Sequence, residues 1–258
     1  MPILRKVLAA LVLAVAAIAA YYFWAPTHHR NALWAIVHDK CVPDEEQNHD
    51  PAPCALVDVA NGDAKGYVLL KDIRGVAQYL LIPTRRISGI ESPELLAPDA
   101  PNYLAEAWAN RGLVSSRLHR ELAWDGIGLA VNSISARTQD QFHIHIDCVR
   151  PDVRAALAQH AGEISDQWQP LAFDLVGRRY VARRLSASAA TSQNPFKLLA
   201  DGVRGAAQDM GDMSLAMIGT VFAPGDQGFI LLASQGNEQK GAHSEDLLDR
   251  RCAVVRAK

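Results

Sequence analysis

Ten residues near the middle of the chain, Gln139-Asp140-Gln141-Phe142-His143-Ile144-His145-Ile146-Asp147-Cys148, concentrate its chemistry. Two imidazoles and a carboxylate alternate with Phe, Ile, Ile and Cys. In an extended strand, successive side chains point to opposite faces. One face therefore carries His143, His145 and Asp147, and the other enters an apolar core. A neutral imidazole, with an ordinary pKa of about 6.5, can serve as a nucleophile or a proton carrier at neutral pH. His143-x-His145 is also a metal-ligand spacing, with Asp147 as a third, oxygen ligand. The bland alternative is a structural pair, but two buried histidines and an aspartate are a costly way to fill a core. A two-histidine phosphodiesterase needs two separated His-x-Ser/Thr motifs. The remaining histidines supply none.

The flanking sequence indicates what holds this strand. Residues 128–131 read as a neighbouring strand, joined to it by the polar turn 132–138. Two apolar runs, 66–70 and 78–83, separated by Lys71-Asp72-Ile73-Arg74-Gly75, carry a hairpin signal. Breakers at Pro43, Pro51, Pro53 and Asn61-Gly62 make 41–64 loop-like. From 101 to about 122 the pattern is helical, with Leu104, Ala107, Trp108, Val114 and Leu118 near one stripe. Pro151 opens a further helix to about 164. In the second half, 180–185 reads as a strand and the small, polar stretch 186–194 as a linker or loop. Residues 195–210 read as an amphipathic helix, with Phe196, Leu199, Val203, Ala207 and Met210 on one face. Strands 214–222 and 228–233 follow. The order strand, helix, strand, strand repeats the first half in degraded form and predicts an internal duplication. The expected architecture is α+β, with a catalytic half at 31–165 and a degenerate half at 166–258. Within the second half, His243-Ser244-Glu245-Asp246 reads as a polar helix start.

Length and composition set wider bounds. At 258 residues with net charge −2, the chain has room for a substantial core and no global field suited to nucleic acid. Arg5 and Lys6 precede an uncharged run over 7–24 that ends in Tyr21-Tyr22-Phe23-Trp24. The run is at the short end of what spans a bilayer. The basic pair predicts a cytoplasmic amino end, and the aromatic cluster suits the far interface. A cleaved signal peptide competes with this uncleaved anchor, taken as residues 1–30. Either way the remainder is exported, and the expected location is the inner membrane with the catalytic part outside. The four cysteines are an even count in an oxidising compartment. Of the three pairings, Cys41–Cys54 with Cys148–Cys252 is favoured. The first closes a short loop, and the second fastens the tail to the histidine strand.

Asn132, Gln139, His143 and His145 resemble the signature of the histidine-triad superfamily, nucleotidyl hydrolases and transferases. Tyr79-Leu80-Leu81-Ile82-Pro83 is similar to that superfamily's upstream strand, while Asp147 replaces the common third histidine. A narrower resemblance is carried by Leu33-Trp34-Ala35-Ile36-Val37, Cys41-Val42-Pro43, Ile82-Pro83-Thr84, Gly89-Ile90-Glu91-Ser92-Pro93 and Cys148-Val149-Arg150-Pro151-Asp152. These motifs, in this order, are similar to the CDP-diacylglycerol pyrophosphatase family, a membrane-anchored branch of the histidine-triad group. The resemblance implies a histidine-triad-like antiparallel sheet and hydrolysis of CDP-diacylglycerol to CMP and phosphatidate. It implies His145 as nucleophile, with no obligatory metal or other cofactor. His143 would then stabilise developing charge, and Asn132 and Gln139 would offer neutral donors to phosphoryl oxygens. Asp147 joins the substrate-binding set with an open role. Lys71, ahead of Arg85, Arg86 and Arg137, is the expected partner of the second phosphate. The alternatives are hydrolysis of a soluble nucleotide diphosphate derivative and a non-catalytic nucleotide- or lipid-binding module.

Overall fold

The computed structural model describes Ala14 and residues 30–255, so the expected membrane anchor with its flank lies, apart from Ala14 and Arg30, outside the described residues. Among the described residues no helix is long and apolar enough to cross a membrane. The chain enters through a helical segment made of α1 (Ala32–Ile36), one π-helical turn and α2 (Val42–Asn48). The expected loop at 41–64 is thus helical at its start. Pro43 follows the π-helical turn, at the start of α2.

Nine strands then build one antiparallel sheet: β1 (Leu56–Asp58), β2 (Tyr67–Lys71), β3 (Tyr79–Pro83), β4 (Ile127–Val131), β5 (Ile144–Cys148), β6 (Gln169–Pro170), β7 (Val181–Ser186), β8 (Met213–Ala223) and β9 (Asp226–Gln235). Their spatial order is β1-β2-β3-β5-β4-β8-β9-β7-β6. The hairpin β2–β3 forms as the two apolar runs imply, and β5 lies between β3 and β4. β3 is buried along its whole length, which explains why it reads as a continuous apolar run.

One face of the sheet packs Leu69, Leu81, Ile144, Ile146, Leu129 and Leu215 into the larger core. Helices α3 (Tyr103–Ala109), α4 (Gly112–Leu118) and α7 (Pro195–Gly202) supply Leu104, Val114, Phe196 and Leu199 to it. The opposite face carries two separate apolar clusters. Val68, Leu70, Leu80 and Ile82 meet Val37 and Cys41 on one flank. On the other, Ala130, Ile218, Ile230 and Leu232 meet Val153 and Leu157 of α5 (Pro151–His160). His145 and Asp147 project into the seam between them, because the alternation that sends Ile144, Ile146 and Cys148 into the core leaves them no other side.

Three further expectations shift. The helix read over 101 to about 122 is parted at Asn110-Arg111 into α3 and α4 and ends at Leu118. The stretch taken as a linker holds a short helix, α6 (Ala187–Ser192), started by the Ser186 side chain accepting from the Ala189 N–H at 3.1 Å. The alanines that looked merely small also have the highest helix propensity. The helix read over 195–210 stops at Gly202, and Gly205 follows at a φ of +82°, a turn conformation rather than a helical one.

Candidate active site

His145 is 5% exposed, with Leu80 of β3 and Ala130 of β4 directly opposite it across the sheet. Its Nδ1 lies 2.6 Å from Gln78 Nε2. The same nitrogen donates to Asp72 Oδ2 at 2.9 Å, so Gln78 presents an amide N–H to the ring. Nδ1 therefore accepts, and the neutral ring carries its proton on Nε2. Nε2 is buried and makes no hydrogen bond, while Glu245 Oε2 stands 3.4 Å away. Burial drives the His145 pKa down from 6.5 to about 3 against the pull of Glu245, so the ring is neutral at pH 7.

Glu245 arrives from the carboxy-terminal segment, in a short 3-10 turn over Ser244–Leu247. Its Oε2 accepts from Asn132 Nδ2 at 3.1 Å, its Oε1 accepts from the Arg250 guanidinium, and its own N–H donates to Asn132 Oδ1 at 3.1 Å. Burial opposes this charge, but His145, Arg250 and Asn132 outweigh it and hold the carboxyl down at about 2. Because burial keeps His145 neutral, Arg250 and Asn132 are the partners that keep Glu245 ionised near pH 7.

His143 directly precedes β5, and its ring meets that of His145 edge-on, with centroids 4.9 Å apart at 74°. Its Nδ1 donates to the Gln141 carbonyl at 2.8 Å, which leaves Nε2 as the acceptor nitrogen. Burial lowers its pKa too. With Asn132, Arg137 and Gly89 it lines a cavity of about 10 Å³, room for about one water. On the far side of Glu245 lies a groove of about 400 Å³ lined by Glu245, Arg250, Arg150, Asp249 and Arg251. Glu245 thus forms the wall between that groove and the imidazole.

Asp147, two residues beyond His145, is wholly buried. Oδ1 accepts the Cys148 N–H at 2.8 Å and Oδ2 has no partner. Cys252 Sγ lies 3.4 Å from Oδ1, but a disulfide sulfur has no proton to donate. Burial accordingly raises the carboxyl to about 7, against the Cys148 bond and the charge of Lys71. Among the described residues, the group of three metal-capable side chains whose ligand atoms converge within 4.8 Å is Asp147, Cys148 and Cys252, and its two cysteines are bonded to each other. His143, His145 and Asp147 do not converge in that way, so the metal-site spacing is not matched by metal-site geometry.

Both favoured disulfides are present, Cys41–Cys54 and Cys148–Cys252. Of the residues singled out from sequence, the fold brings together His143, His145, Asn132 and Asp147. Lys71 is close enough for Asp147 to feel its charge, but its Nζ is engaged by the Asp72 and Gly75 carbonyls at 2.6 and 3.1 Å. Gln139 turns elsewhere, its Oε1 accepting from the Leu33 N–H at 3.1 Å and bracing α1. Arg137 pairs with Glu91 at 2.6 Å and Asp140 at 3.3 Å, and Arg85 lies 3.9 Å from Glu94. Sequence reasoning missed Gln78, Glu245 and Arg250. The one sequence signal linking the tail to the histidines was the Cys148–Cys252 pairing.

These features extend over nearly the whole chain, and so do its likenesses. A protein of Yersinia pestis named CDP-diacylglycerol pyrophosphatase is 40% identical over 253 residues, covering 97% of this chain and 95% of that protein. The model of a family described as CDP-diacylglycerol pyrophosphatase matches residues 28–256, a span that takes in both disulfides, the histidine strand and the segment bearing Glu245. By both measures the chain belongs to the CDP-diacylglycerol pyrophosphatase family.

Proposed function

We propose that the chain hydrolyses CDP-diacylglycerol to CMP and phosphatidate through a nucleotidyl intermediate on His145. Family membership supports the substrate and the acid-anhydride hydrolysis. The observation that carries the nucleophile is the His145 ring: neutral, fixed through Nδ1 by Gln78, and with Nε2 free of any hydrogen bond. Nε2 attacks the phosphorus attached to cytidine, and the bond to phosphatidate breaks with its electron pair leaving on the phosphatidate oxygen. Water then cleaves the phosphoramidate and releases CMP. Splitting the displacement into two steps is the usual gain of covalent catalysis. The Asn132 amide stands near the ring as a donor for developing phosphoryl charge, and His143, whose Nε2 is an acceptor, orients its neighbour by packing edge-on against it. Lys71 reaches the second phosphate only by leaving the Asp72 and Gly75 carbonyls, the buried Asp147 supports the site from beneath, and Gln139 acts indirectly by bracing α1 against the loop before β5. With only about 10 Å³ open beside His143, admission of a diphosphate requires the Glu245 wall to part from the ring.

A histidine-triad-like duplication is supported by strand order and register. The order β3-β5-β4 on one side is matched by β7-β9-β8 on the other, meeting where Ala130 pairs with Ala216. A two-fold axis through that pair carries His145, opposite Ala130, onto Leu232, opposite Ala216. Counting two residues either way, His143 falls on Ile230 and Asp147 on Ser234. The second copy thus has the strands without the triad. The apolar run at 7–24 and two disulfides further support an inner-membrane anchor with the catalytic part exported.

The test is trapping. Substrate labelled with radioactive phosphorus on the cytidyl side, quenched in alkali during turnover, places label on the 142–149 peptide, and His145→Ala abolishes both label and CMP release. Label on any other peptide sinks the mechanism.

A further inference from the structure

The tautomer of His145 poses a chemical problem. Gln78 donates to Nδ1, so the nitrogen assigned to attack phosphorus carries a proton in the resting enzyme. A protonated Nε2 has no lone pair to offer. Some group must accept that proton as the nitrogen–phosphorus bond forms, and return one when the bond breaks.

Glu245 is the group placed to do so. Its Oε2 is 3.4 Å from Nε2, yet Nε2 makes no hydrogen bond with it or with any other described residue. The carboxylate therefore covers the buried ring nitrogen without being bonded to it, so it can part to admit the phosphate while staying within reach of the Nε2 proton. Asn132 fixes the same oxygen, and Arg250 holds the other. The charged groups facing the pair from the packed elements are Arg250 from the tail, and Asp72 and Arg74 from the β2–β3 loop. Val76 N–H donates to the Arg250 carbonyl at 2.9 Å, so loop and tail are joined over the site.

We infer that Glu245 is a catalytic residue, the proton acceptor and donor of His145 Nε2. The inference rests on His145 being the nucleophile. In the first step the Nε2 proton passes to Glu245 Oε2, Nε2 bonds to phosphorus, and phosphatidate departs as the dianion. In the second step water attacks phosphorus, the phosphorus–nitrogen bond breaks, and Glu245 returns its proton to the departing Nε2. The surplus proton of the attacking water leaves to solvent. His145 and Glu245 end in their starting states.

The deciding experiment uses the full chain with CDP-diacylglycerol in mixed micelles, following phosphatidate release at short times and CMP at steady state. Glu245→Gln keeps the shape of the side chain and removes the base. It lowers kcat about 100-fold or more, the lower end of what a positioned acid–base group contributes. KM stays within about threefold, and early phosphatidate release slows together with CMP release. Glu245→Asp keeps the charge but draws it back by one methylene, and its kcat falls about tenfold. That variant alone decides should Glu245→Gln fail to fold. A kcat within threefold of the parent in the variant measured, with His145→Ala inactive, overturns the role of Glu245 and leaves His145 standing. A Glu245→Ala enzyme faster than the parent also overturns it, since the side chain would then merely obstruct the ring. Activity retained by His145→Ala refutes the nucleophile itself.

Discussion

Replacing Asp147 with Asn isolates what the fold gives up to hold a carboxyl on the histidine face. In the unfolded chain this group titrates near its ordinary value of 3.8, and burial raises it to about 7 in the folded protein. A folded pKa above the unfolded one means that the native state resists ionisation. The resulting penalty is absent below about pH 4, grows between pH 4 and 7, and is complete above pH 7. A rise from 3.8 to about 7 corresponds to about 4 kcal/mol. Asn cannot ionise, keeps an acceptor for the Cys148 N–H, and places an amide where Oδ2 already lacks a partner. Asp147→Asn is therefore expected to match the parent near pH 4 and to exceed its stability by about 4 kcal/mol at pH 8. The depressed pKa of His145 makes an opposite contribution, with stability lost as pH falls below 6.5, but that contribution is common to both proteins and cancels in the difference. Urea unfolding followed by tryptophan fluorescence at pH 4, 6 and 8, with both disulfides oxidised, measures the effect. A difference that does not change with pH, or an Asn variant less stable than the parent at pH 8, would refute the assignment of a buried, unpaired carboxyl.

Two further outcomes follow from the same geometry. Gln78→Leu removes the donor to His145 Nδ1 and leaves that nitrogen buried and unpaired, a loss of about 1–3 kcal/mol. CMP release is expected to fall about tenfold to a hundredfold with an unchanged circular dichroism spectrum, and unchanged turnover would show that the ring needs no such anchor. Cys252→Ser opens a crosslink between positions 104 residues apart, worth about 4.7 kcal/mol by chain entropy. The thermal midpoint should drop and CMP release should fall with it, because Glu245 and Arg250 sit in the segment that this bridge ties to β5. Full turnover in Cys252→Ser at a temperature where it remains folded would show that the bridge does not position the tail.

Much of the histidine strand was legible from local pattern. Alternation alone put His143, His145 and Asp147 on one face and Ile144, Ile146 and Cys148 in the core, because the period of a strand is fixed by backbone geometry. The β2–β3 hairpin, the core helices and the order strand, helix, strand, strand were readable for the same reason. Boundaries were read less well where two tendencies compete: alanines flanked by Ser186 made helix rather than linker, and Gly202 ended a helix whose apolar spacing continued to Met210.

The environment of His145 was decided by tertiary structure. Glu245 lies 100 residues beyond His145, Gln78 precedes it by 67 and Asn132 by 13, and no local periodicity connects them. They meet because β5 is inserted between β3 and β4, and because the tail folds back to the sheet through Cys148–Cys252. That meeting fixes the tautomer of His145, keeps Glu245 charged, and buries the imidazole. Residue types set which reactions are available to this chain. Desolvation and long-range contacts set which nitrogen holds the proton, since both depend on what surrounds the ring rather than on what neighbours it in sequence.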